Sequence, residues 1–229
     1  MPAAIIFNLL VLHLLLTLPH ELGHFVAARV QGVQVPEFGI GLPPTVAAVR
    51  WRGTRWSLNL IPIGSFVGYS AATARSKSPI TACAISIAGP ITNILVAALC
   101  LAVLVVPESV GVLEFGRNIG HHLAAGLSQP WGGDGIVSFA VITLPGLGNS
   151  LGHWMSLTEF LRLLLAASIL VGLMNLIPIP PMDGGRLVVG LARTMGLRLR
   201  VERPVARAGF VGLSVLAFIC LLLVFTTHG

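Results

Sequence analysis

His20-Glu21-Leu22-Gly23-His24 is the stretch of this chain whose residue types and spacing can do chemistry by themselves. On a helix, positions i and i+4 share a face. Both imidazoles can then reach one cation while the Glu21 carboxylate reaches water beside it. Two nitrogen donors and a base arranged in this way suit metal-assisted hydrolysis, with zinc as a cation that imidazoles bind well. The pentapeptide lies inside an almost uncharged apolar run from Pro2 to Ala28. Ionisable side chains are costly in lipid, and the cost argues for a use.

The elements that must position this motif are apolar. Of the 229 residues, 55% are hydrophobic and only 10% charged, with a mean hydropathy of +0.91. Soluble domains carry about a quarter charged residues, which excludes an ordinary soluble enzyme. The length suits one membrane domain, 1–229, and leaves little for an appended soluble module. The net charge of +6 does not point to nucleic acid, because the basic residues flank apolar runs and form no aromatic-basic stripe. Cys83, Cys100 and Cys220 all lie in apolar runs without a C-x-x-C pair, so they read as small buried side chains rather than disulfides. The first run lacks a basic leader and exceeds the ~7–15 residues of a signal-peptide core, so it reads as a retained helix.

The expected fold is an α-helical polytopic membrane protein with about four transmembrane helices, over residues 3–30, 80–106, 157–177 and 205–225. A small membrane-associated sheet is expected in the segment 33–70. Val46–Trp51 and Arg55–Leu60 flank Arg52-Gly53-Thr54 as a hairpin, and Gly39, Gly41, Pro43 and Pro44 precede it as turn signals. Such a sheet beside the membrane face would offer an edge to an extended peptide. The segment 107–158 is Gly-rich and too short for most independent domains.

The connections sort by charge. Arg29, Arg50, Arg52, Arg55, Arg75 and Lys77 follow the first run against only Glu37; Arg186, Arg193, Arg198, Arg200, Arg203 and Arg207 follow the third against Glu202. The segment 107–158 lacks this excess. The positive-inside rule puts the first and third connections in the cytoplasm, with both termini and 107–158 outside. His24 then lies roughly 8 Å and His20 roughly 14 Å below the cytoplasmic edge at Arg29, so a water-filled cleft open to the cytoplasm is implied.

Catalytic zinc takes three protein ligands and leaves one position open. Among candidates for the third, Asp134, His121, His122 and His153 fall on the outer side, whereas Glu37 and Asp183 are cytoplasmic. Asp183 sits in Asn175-Leu176-Ile177-Pro178-Ile179-Pro180-Pro181-Met182-Asp183-Gly184-Gly185. The prolines end the third helix and the glycines permit a tight turn, which places its carboxylate well to meet the first helix. His13, on nearly the same face as His20 but about 10 Å further out, reads as a packing or cavity residue, and His228 is terminal.

HELGH in a first transmembrane helix followed by N-x-x-P-x-P-x-x-D-G-G resembles the site-2 protease family of intramembrane zinc metalloproteases. Gly89-Pro90-Ile91-Thr92-Asn93 is similar to that family's G-x-x-x-N motif, and Pro62-Ile63-Gly64 to its P-x-G-G turn, with Ser65 in place of the second glycine. The expected form is a minimal one, without the PDZ or cytoplasmic regulatory domains of some relatives. The resemblance implies one Zn2+ per chain held by His20, His24 and Asp183, with Glu21 as catalytic acid/base. It also implies Asn93 and Asn175 as substrate-binding residues of the cleft. It implies hydrolysis of membrane-spanning substrates in regulated intramembrane proteolysis, such as anti-sigma factors or membrane-anchored transcriptional regulators, at the cell membrane. A metal or proton transporter would also place His and Asp at membrane depth, but no inverted repeat is present. A non-catalytic membrane scaffold would not need the base.

Overall fold

The computed structural model of the protein describes residues 2–105, 155–179 and 182–197. The segment 106–154, with His121, His122, Asp134 and His153, and the expected fourth helix at 205–225 lie outside the described residues. The elements in chain order are α1 (Pro2–Val30), β1 (Glu37–Trp51), β2 (Thr54–Gly68), α2 (Ala71–Arg75), α3 (Pro79–Val105), α4 (Leu157–Asn175) and α5 (Asp183–Thr194). Among the described residues three helices are long and apolar enough to cross a membrane: Phe7–Val30, Pro79–Leu104 and Leu157–Asn175. They match the first three expected spans to within a few residues.

The chain divides into two compact units, Met1–Val11 with Val96–Leu170, and Leu12–Leu95 with Val171–Gly229. In the first, Ala97 and Cys100 of α3 and Leu164, Leu165 and Ser168 of α4 are buried. The second holds every residue of the candidate site.

Helix α1 ends where Gly32 takes a positive φ of 71° and Val33 N–H closes back on the Ala28 carbonyl at 2.9 Å. This left-handed cap turns the chain back toward the helix. Ala28, Val33 and Val35 form a small core, packed by Phe25, Val67, Tyr69 and Ile85. The sheet is thereby anchored on α1, where Phe25, Phe38 and Trp56 stack with ring centroids 4.9–5.8 Å apart.

The strands run further than the sequence signals suggested. β1 continues through Gly39, Gly41, Pro43 and Pro44, which were expected as turns, and pairs with β2 antiparallel. Both strands bend, so Glu37–Ile40 has Arg55–Leu58 on one side and Ser65–Gly68 on the other. Buried Asn59 holds the bend: its Nδ2 donates to the Gly41 carbonyl at 2.9 Å, and its Oδ1 accepts from the Thr45 hydroxyl at 2.8 Å. Local turn signals lose to a register that these side chains fix.

The sheet also lies along α1, not merely at the membrane face. Near the hairpin tip, Arg29 at the end of α1 donates to the Arg52 carbonyl. At the other end Gly64 N–H donates to His13 Nε2, and the Ser65 hydroxyl donates to the Thr17 carbonyl at 3.1 Å. From Arg29 to His13 is about 24 Å of helix, so the sheet follows α1 to membrane depth. The ladder satisfies the backbone groups on the paired sides of the strands, and exposed side chains such as Val49, Leu58, Leu60 and Ile61 are apolar.

Candidate metal centre

His20 and His24 stand one turn apart on α1 with ring centroids 4.8 Å apart, nearly perpendicular at 84°. Their Nε2 atoms are 3.2 Å apart, and each lies 3.0 Å from Oδ2 of Asp183. All three residues are buried. A zinc ion about 2.0–2.1 Å from each donor of a tetrahedral set needs donor separations of about 3.3 Å, so the observed triangle is close to the size of that cation. Two imidazole nitrogens and one carboxylate oxygen also form a donor set that zinc accepts. Among the described residues this is the one group of three such side chains able to converge on an ion.

Three other elements shape the triangle. Helix α3 runs past both rings with Ile85, Gly89 and Asn93 at successive four-residue intervals along one face. The Ile85 carbonyl lies 2.7 Å from Nδ1 of His24. A carbonyl only accepts, so Nδ1 of His24 carries a proton, and Nε2 is the nitrogen turned toward Asp183 and toward any cation. A Cβ at Gly89 would stand 2.3 Å from His24 Nε2 and 2.7 Å from His20 Nε2. Only hydrogen in place of a side chain leaves the donors room. Asn93, fully buried, lies with Nδ2 3.2 Å from His20 Nδ1.

Asp183 comes from the far end of the sequence. After α4 the chain turns through Leu176–Ile179 and re-enters a helix, so Asp183 is the first residue of α5 and not part of a turn. A carboxylate there gains from the helix N-terminal dipole. Gly184 allows the approach, because a Cβ would meet the Leu176 carbonyl oxygen at 2.2 Å. Burial alone would raise the Asp183 pKa, but hydrogen bonds and charge interactions with His20 and His24 win and hold it well below the usual carboxylate range. Its Oδ1 faces the Arg186 guanidinium at 3.5 Å.

The Glu21 carboxylate, one residue from His20, is in electrostatic reach of both imidazoles, Asp183 and Arg186, and has no hydrogen-bond partner among the described residues. Asn175 stands apart from the donors in its bonding: its Nδ2 donates to the Val171 carbonyl of its own helix at 3.0 Å. Glu37, the other carboxylate considered as a ligand, is paired with Arg55 at 2.6 Å. His13 serves the sheet through Gly64. Sequence reasoning passed over Arg186 and Tyr69, the chain's single tyrosine. Burial, with Glu21 next in weight, pushes the Tyr69 phenol pKa up, so it stays a neutral O–H donor in electrostatic reach of Glu21 and Asp183. Nothing local marked either residue; their proximity depends on the folding of β2 and α5.

The sequence profile of peptidase family M50, the site-2 protease family, matches residues 7–219. The chain belongs to peptidase family M50. With its apolar spans, this M50 member is an integral membrane protein. It is similar to a Clostridium acetobutylicum protein designated by inference a zinc metalloprotease, 34% identical over 110 residues, covering 44% of this chain and 32% of that protein. It is also similar to the chloroplastic membrane metalloprotease ARASP of Arabidopsis thaliana, 41% identical over 61 residues, 27% of this chain and 14% of that one. The matched stretches thus span about a third or less of these relatives' own length. Within M50 terms, the G-x-x-x-N motif is the Gly89 gap and the Asn93 contact. Ser65, the departure from P-x-G-G, makes a hydrogen bond to Thr17 that glycine could not. Gly64 retains a φ of 78°, which favours glycine.

Proposed function

We propose that this protein is a zinc-dependent intramembrane endopeptidase that hydrolyses peptide bonds of membrane-spanning substrates. The observation that carries the reading is the near-equilateral convergence of His20 Nε2, His24 Nε2 and Asp183 Oδ2, with Glu21 beside them. His20, His24 and Asp183 would hold one zinc ion, whose Lewis acidity activates water near neutral pH and polarises a carbonyl. Glu21 accepts the proton of the attacking water on its carboxylate and returns it to the leaving nitrogen. Ile85 fixes the His24 ring, Arg186 balances the second oxygen of Asp183, and the buried setting strengthens these charge interactions.

A helical substrate hides its carbonyls in i to i−4 bonds, so the scissile segment must unwind. The long strands beside α1 supply backbone donors and acceptors at the depth of the site, and pairing with their edge compensates the lost bonds. Charged substitutions on that edge should then slow cleavage of a membrane helix more than cleavage of an already unwound peptide; equal indifference of both would count against the pairing. In the proposed orientation both termini are extracytoplasmic and the site opens toward the cytoplasm of the cell membrane. Membrane-anchored transcriptional regulators and anti-sigma factors are the proposed substrate class, cleaved in regulated intramembrane proteolysis.

The test uses the full chain purified with zinc and a membrane-helix substrate. Cleavage is expected, and Glu21→Ala should retain zinc while losing cleavage. Metal movement across liposomes without cleavage would identify a transporter instead, and substrate-helix binding indifferent to Glu21 a scaffold.

A further inference from the structure

The two imidazoles are supported unequally. For His24 the Ile85 carbonyl accepts from Nδ1–H, so Nε2 is the nitrogen that can turn a lone pair to a cation. For His20 the neighbour is an amide, which has both a donor and an acceptor end. In the arrangement found, Asn93 Nδ2 points at His20 Nδ1 at 3.2 Å, while Asn93 Oδ1 is buried and has no hydrogen-bond partner among the described residues. Donation from Nδ2 needs a lone pair on Nδ1, which puts the His20 proton on Nε2, directed at Asp183 Oδ2 3.0 Å away. That tautomer cannot ligate a cation through Nε2. Nothing else among the described residues holds Oδ1 where it is, so the amide can answer to His20.

We propose that Asn93 is a positioning residue for His20 in the cation-loaded protein, presenting Oδ1 as acceptor to His20 Nδ1–H. The inference rests on the zinc reading above. It gives helix α3 control of both ring tautomers through two acceptors, the Ile85 carbonyl and the Asn93 amide oxygen, eight residues apart on one face with Gly89 between them. Amide ends look alike in shape, so a half-turn of the side chain converts one arrangement into the other without repacking. Asn93 is fully buried, which suits a support behind a ligand better than a contact with an incoming peptide.

The test separates acceptor, donor and substrate roles by zinc affinity, measured by chelator competition on the full chain without substrate. Asn93→Leu keeps the volume but offers no acceptor, and zinc binding should weaken about 10–100-fold, as for other lost outer partners of ligating histidines. Asn93→Asp offers only acceptors and should bind zinc at least as tightly as the wild type. At saturating zinc, the KM of Asn93→Leu should match that of the wild type. Wild-type zinc affinity in Asn93→Leu, a raised KM at full occupancy, or zinc binding by Asn93→Asp as weak as by Asn93→Leu would each overturn the proposal. Should Asn93→Leu fail to fold, 15N-histidine NMR of the zinc-loaded wild type decides: His20 must carry its proton on Nδ1, and a proton on Nε2 refutes it. A wild-type chain that binds no zinc sinks the metalloprotease reading itself, whereas a tight wild type with an indifferent Asn93→Leu sinks only this inference.

Discussion

Replacing Gly89 with alanine adds one methyl group directly against both imidazoles of the site. The new Cβ would lie 2.3 Å from His24 Nε2, 2.7 Å from His24 Cε1 and 2.7 Å from His20 Nε2, where ordinary contact begins at 3.4 Å. The His24 donor must retreat by about 1 Å and the His20 donor by somewhat less. Metal sites tolerate about 0.2 Å in ligand distance, so both imidazoles leave the range in which they can share a cation. The loss should exceed the about 10–100-fold typical of a disturbed outer partner, because two ligands themselves move.

The opposing effect is on the helix. Alanine is about 1 kcal/mol better than glycine within a helix, and overpacking costs about 1–3 kcal/mol. The net cost is about 0–2 kcal/mol, so metal-free Gly89→Ala should stay folded and melt at or moderately below metal-free wild type. The signature is therefore a chain that stays folded, elutes as the wild type from gel filtration, and has lost both zinc by chelator competition and cleavage of a membrane-helix substrate. Wild-type zinc affinity in a folded Gly89→Ala protein would refute the placement of the rings against α3, and with it the size argument for the site.

Three further outcomes follow from the same geometry. Glu21→Ala should slow cleavage about 100- to 10,000-fold at unchanged zinc content, the usual range for a lost general acid/base, measured as single-turnover rate beside bound metal. Chelation should abolish cleavage and lower the melting temperature, because a ligand bound only by the folded state at 1,000 times its Kd contributes about 4 kcal/mol; added zinc should restore both. Gly23→Ala would bring a Cβ to 1.9 Å from Thr92 Oγ1 and 2.7 Å from the Ala88 carbonyl oxygen. The overpacking cost of about 1–3 kcal/mol, less about 1 kcal/mol of helix propensity, should leave a destabilisation of about 0–2 kcal/mol, read as a denaturation midpoint, with only partial rescue by Thr92→Ala because the second clash is with backbone.

The sequence was most informative where the signal is local and strong. Long apolar runs set α1, α3 and α4, and the spacing of His20 and His24 set one face of one helix. It was less informative about the sheet. Gly41 and the Pro43-Pro44 pair read as turn residues, yet β1 runs through them because Asn59, a partner distant in sequence, ties the bend together. The depth of the sheet was equally hidden, since it follows from Gly64 meeting His13 and Ser65 meeting Thr17 across some fifty residues of chain. Asp183 was legible as a chemical group but was assigned to a turn; an acidic residue opening a helix after prolines is a start signal that the two glycines obscured.

The spacing on α3 follows from the spacing on α1. His24 meets Ile85 and the Gly89 gap, and His20 meets the same gap and Asn93, so as α1 is read backward α3 is read forward. Two helices packed antiparallel, each with period 3.6, keep faces in register when their functional positions recur at four-residue steps. A one-residue slip of either helix would rotate its face by about 100°. The Gly89 gap would then be filled by the side chain of Ala88 or Pro90 and both acceptors would leave the imidazoles. The short motif on α3 is thus the complement of the histidine pair on α1. That is why a glycine and an asparagine four residues apart accompany two histidines four residues apart, although about seventy residues separate them in the chain.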